Sequence, residues 1–93
     1  MEPWSPLPRT IGELEAEIEE LCLEGEIDNR GVVTSLLAKL NAAQTLIAVG
    51  KIDQAKTILN AFINEVQAQS GKHITADAAE LLLQAAEYIL SNL

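Results

Sequence analysis

The sequence predicts an all-α fold, an antiparallel up-down bundle of four helices. Three observations carry that prediction. Between Thr10 and Leu93, apolar residues recur at the three- and four-residue spacing of a helix face. Polar capping residues or glycines bound each periodic segment. No stretch alternates with the period of two that a half-buried strand requires, and the connections are short enough to set neighbouring helices antiparallel.

Residues 1–9 (MEPWSPLPR) hold all three prolines of the chain, which excludes a helix there. They read as an extended linker or leader ahead of a single domain at 10–93. Thr10-Ile-Gly-Glu13 is a capping box opening the first helix. Ile11, Leu14, Ile18 and Leu21 form a narrow apolar seam, and Gly25 ends the segment. A different stripe carries Glu13, Glu17, Glu20 and Glu24, spaced by three and four residues. Each such like-charge pair costs on the order of a few tenths of a kcal/mol. This acidic helix is therefore expected to depend on docking, to be the most easily detached, and to gain helicity in salt or mild acid.

Asp28 or Asn29 is expected to begin the second helix, which runs to about Ala48 with the stripe Val33, Leu36, Leu37, Leu40, Ala43 and Ile47. Gly50 stops it, and Asp53 is expected to cap the third helix. The third stripe is Ala55, Ile58, Leu59, Phe62, Ile63 and Val66, closed by Gly71. Thr75 caps the fourth helix, whose stripe is Ala78, Leu81, Leu82, Ala85 and Ile89. Only Trp4, Phe62 and Tyr88 are aromatic, so the core is aliphatic.

The net charge of −8 lies wholly in residues 1–28, where nine acids face one base. Five acids balance five bases in the remainder. With no basic patch to neutralise phosphates, nucleic-acid binding is not expected. The same charge opposes an anionic lipid surface. No run reaches the roughly 20 apolar residues of a membrane span, so no membrane insertion is expected. Residues 1–10 lack the basic and apolar regions of a signal peptide.

Chemically capable side chains are few. Cys22 stands alone, so no disulfide forms within the chain, and its neighbours in sequence are acids rather than the positive charge a reactive thiol needs. His73, in the turn Gly71-Lys72-His73-Ile74-Thr75, has no second histidine or cysteine spaced to share a metal. Glu24 to Asn29 offers oxygens at alternate positions but lacks the length and terminal glutamate of a calcium loop. Ser35 and Ser70 lack a histidine–acid partner, and the isolated glycines form no phosphate cradle. No catalytic, metal or cofactor site is expected, and the chain is not read as an enzyme. Asn41, Asn60 and Asn64 sit inside predicted helices, where asparagine is a weak helix former. They are read as exposed polar surface or as structural amides that fix the helix register, with direct ligand contact as a third alternative.

Three strings, Gly31–Gln44 (GVVTSLLAKLNAAQ), Leu59–Thr75 (LNAFINEVQAQSGKHIT) and Ala78–Leu90 (AAELLLQAAEYIL), resemble the FIMAH domain. The resemblance spans roughly residues 11–92. It implies a small helical module at the C-terminal end of large secreted bacterial proteins, extracellular or on the cell surface, and appended to their catalytic parts. The partner expected is a neighbouring domain of a parent protein or another protein. The candidate interaction surface is Glu13, Glu17, Glu20 and Glu24 together with Gln67, Gln69, Lys72 and His73. Two alternatives are a polysaccharide- or cell-wall-binding module, for which stacking aromatics are scarce, and a homo-oligomerisation device built on the first helix.

Overall fold

The computed structural model describes residues 10–93. The leader expected over residues 1–9, with Trp4 and the three prolines, lies outside the described residues. Four helices follow in order: α1 (Ile11–Leu23), α2 (Arg30–Ala48), α3 (Ile52–Gln69) and α4 (Ala76–Ser91). Three of the four N-termini are capped by a side chain. Thr10 Oγ1 accepts from Glu13 N at 3.1 Å, Asn29 Oδ1 from Val32 N at 3.0 Å, and Thr75 Oγ1 from Ala78 N at 3.2 Å. These bonds satisfy backbone donors that a helix start otherwise leaves without partners.

Asp53 does not cap α3. The N-cap is Lys51, which makes no side-chain cap bond, and Asp53 falls inside the first turn. The cause is the turn before it. Gly50 adopts φ +84°, a left-handed conformation costly for a residue with a Cβ, and Lys51 N bonds back to Leu46 O at 2.8 Å. The chain re-enters a helix at once, so Asp53 complements the helix dipole rather than closing the end. Gly25, at φ +83°, ends α1 in the same way, with Glu26 N bonded to Leu21 O at 2.9 Å.

Each helix buries its predicted stripe with small differences. Ile11, Leu14, Ile18 and Leu21 are all buried. Leu37, Ile47, Ile58 and Leu81 pack only partly, while Ala79 and Ala86 join the interior of α4. Among the described residues no polar or charged side chain is buried. Two loop residues, Ile27 and Ile74, are as deeply buried as any helical one. They pair across an isolated antiparallel bridge, with Asp28 N donating to His73 O at 2.9 Å and Thr75 N to Glu26 O at 3.0 Å. The α1–α2 and α3–α4 turns are therefore tied together at one end of the bundle. The α2–α3 turn stands at the other, and the chain runs up and down as predicted. α2 packs against both α1 and α3, and α1 closes the bundle against α4.

By length and composition α2 is long and apolar enough to cross a membrane, with a mean hydropathy of 1.2 over eighteen residues. The sequence expectation that no segment qualifies is corrected on that point. Arg30 and Lys39 are its only charged residues. Here its apolar stripe Val32, Val33, Leu36, Leu40 and Ala43 forms bundle core.

Candidate interaction surface

The seam of α1 turns Ile11, Leu14, Ile18 and Leu21 inward, and geometry then forces the glutamates out. Glu13, Glu20 and Glu24 are exposed and Glu17 is half-buried. Partial burial raises the carboxyl of Glu17 above its ordinary value, and the charges of Glu24 and Glu20 raise it further. The electrostatic strain expected from the spacing is thus centred on Glu17. Glu19 meets Arg30 at 3.8 Å, with side chains 54% and 68% exposed, a geometry worth little to stability.

The second predicted patch lies at the tied end. Gln67, Lys72 and His73 are exposed, and Gln69 is half-buried with its Oε1 buried and unpartnered. His73 Nδ1 donates to Asp28 Oδ1 at 2.9 Å, and the Thr75 hydroxyl donates to a carboxylate oxygen of Glu26. The segment that resembled half a calcium loop therefore directs Glu26 and Asp28 onto the α3–α4 turn. Up-down topology brings the Glu24 end of the acidic stripe to this turn and leaves Glu13 at the far end. The predicted residues form one strip along α1 and one cap at its end, not a single cluster.

All three asparagines are exposed. Asn60 Nδ2 donates to Lys56 O at 3.1 Å on its own helix, so that amide joins no second helix. The polar link between α2 and α3 is one that sequence reasoning missed. Glu65 Oε1 on α3 accepts from Lys39 Nζ and from Ser35 Oγ on α2, both at 2.9 Å, and Lys39 Nζ donates to Ser35 Oγ at 3.0 Å. Its signal was present in Ser35-x-x-x-Lys39, which places both groups on one flank of α2.

Cys22 is half-buried against the core, and Arg30 Nη1 donates to its Sγ at 3.4 Å. The fold supplies the positive neighbour that the local sequence lacks. Among the described residues no group of three or more His, Cys, Asp or Glu is placed to hold a metal ion. The exposed aromatic among them is Tyr88 on α4, since Phe62 is buried.

Between α1 and α2 the surface dips into a shallow open groove of about 630 Å³. Gly12 and Ala16 on one side and Leu37 and Ala38 on the other line it, with Glu15 and Glu19 along the α1 rim.

A family model, that of the FIMAH domain, matches residues 11–91 of the chain. No curated protein and no solved structure gives a significant match.

Proposed function

This chain belongs to the FIMAH domain family, and we propose that it serves as a non-catalytic accessory and interaction module appended to a larger extracellular bacterial protein. The observation that carries the proposal is the outward acidic face of α1. The helix buries an aliphatic seam, Ile11, Leu14, Ile18 and Leu21, and keeps Glu20 and Glu24 exposed at the expense of Glu17. A helix needed only to complete the core gains nothing from that charge, whereas a surface that meets a complementary partner does. The partner is a neighbouring domain of the parent protein or a separate protein, and the module acts outside the cell.

Titration of the labelled chain with the segments that flank it in its parent protein tests this. Amide shifts concentrated on α1 or on Gln67–His73 support the proposal. Shifts confined to the outer faces of α3 and α4, or turnover of a hydrolase substrate by the isolated chain, contradict it.

A further inference from the structure

The groove between α1 and α2 has the features of a docking surface. Gly12 and Ala16 hold the α1 wall low, Leu37 and Ala38 supply an apolar floor, and Thr34 and Asn41 form the α2 rim. Beyond that rim the outer face of α2 stays uncharged through exposed Ala42 and Thr45. Leu23, 83% exposed and seven residues past Ala16, extends the apolar strip along α1. The charge is all on one side. Glu15 and Glu19 edge the groove, while the bases of α2 are already engaged, Lys39 with Glu65 and Arg30 with Glu19 and Cys22.

We infer that this groove docks a cationic amphipathic helix of a protein partner, with its small and apolar residues on Ala16, Leu37 and Ala38 and its Lys or Arg side chains beside Glu15 and Glu19. The lining residues span two turns of each wall, Gly12 to Glu19 and Thr34 to Asn41, which matches a helical ligand lying along them. Charge selects the occupant. A second copy would bring one acidic α1 against another in a chain of net charge −8, and an anionic lipid or nucleic acid is repelled by the same field. Among the described residues no aromatic ring lines the groove to stack on a sugar. The inference rests on the interaction-module function proposed above and names its site and the chemistry of its partner.

Two synthetic helical peptides of about 18 residues, five turns, test it. Both carry the same Ala/Leu face, one flanked by Lys and Arg and the other by Glu. Each is titrated into the full labelled chain. The cationic peptide is expected to shift the amides of Gly12, Ala16 and Ala38 and the glutamate peptide to leave them unmoved. Affinity is expected to fall about tenfold or more in the Glu15→Lys/Glu19→Lys double variant and in Ala38→Arg, each shown by circular dichroism to remain folded. Equal binding of both peptides, unchanged affinity in either variant, or self-association that closes the groove overturns the inference. Shifts from the parent's flanking segments on α1 or Gln67–His73 but outside the groove overturn the groove alone. Silence from both the cationic peptide and the flanking segments overturns the groove and the interaction function together.

Discussion

Helix α2 has two seams, and they are built differently. Toward α3 the contact is closed by Ser35, Lys39 and Glu65, whose charged side chains are only 30% and 20% exposed. Toward α1 the contact is aliphatic beneath, small along the groove, and bridged by the exposed Arg30, which reaches Glu19 at 3.8 Å and Cys22 Sγ at 3.4 Å. A partly buried charge must be satisfied to be tolerated, and on the α3 side Lys39, Ser35 and Glu65 Oε1 bond one another. The α1 side spreads Glu20 and Glu24, both exposed, beside the half-buried Glu17. One seam is closed by a shared polar contact; the other carries like charges at some expense to its own helix.

The core beneath the α2–α3 seam should show the largest effect. Phe62→Ala removes a fully buried ring and is expected to cost about 3–5 kcal/mol of global stability in urea unfolding. A loss below about 1 kcal/mol would place the main core elsewhere. Next, Glu65→Ala strands Lys39 and Ser35 and should cost about 1–2 kcal/mol, whereas Arg30→Ala on the other seam should cost less than about 0.5 kcal/mol. Equal costs would erase the asymmetry. Gly50→Ala tests the turn that sets α2 against α3. A Cβ there meets no atom within 4 Å, so strain at φ +84° is its whole effect, about 1 kcal/mol. The smallest effect should be a gain, in that Glu17→Gln stabilises α1 by about a few tenths of a kcal/mol.

Acidity acts in the same direction. Because the Glu17 carboxyl sits above its ordinary value of 4.5, the folded state holds that proton more tightly than the unfolded chain does. Stability therefore falls as pH rises through the window above 4.5 and recovers on mild acidification. Comparing the pH profile of Glu17→Gln with that of the parent checks this, since the variant should lose this part of the slope. An unchanged slope would mean that Glu17 is not the strained group.

The helices were legible because their period, caps and stopping glycines agree with one another, from Thr10, Asn29 and Thr75 at the starts to Gly25 and Gly50 at the ends. The family was legible too, from strings such as LNAFINEVQAQSGKHIT. The tied end was not. Ile27 and Ile74 lie outside any helical period, 47 positions apart in the numbering, and no local pattern announces that one loop isoleucine will plug beside another. The clasp at Glu65 was hidden for the same reason, since half of it was visible on α2 and its acceptor depends on how α3 docks. Arg30 reaches Cys22 only because α1 and α2 fold back on each other, so a reading of sequence neighbours found acids alone. The acidic strip was visible as spacing, but the groove beside it needs two helices to exist.

Residue-by-residue amide hydrogen exchange under native conditions addresses the central asymmetry most directly. The difference between the seams predicts that the amides from Glu15 to Leu21 on α1 exchange through an opening of lower free energy than those around Leu36, Leu40, Leu59 and Phe62, which should exchange only on global unfolding. If the α1 amides are protected to the same global limit, the helix is not the weakly held element, and the contrast between its two neighbouring seams is wrong.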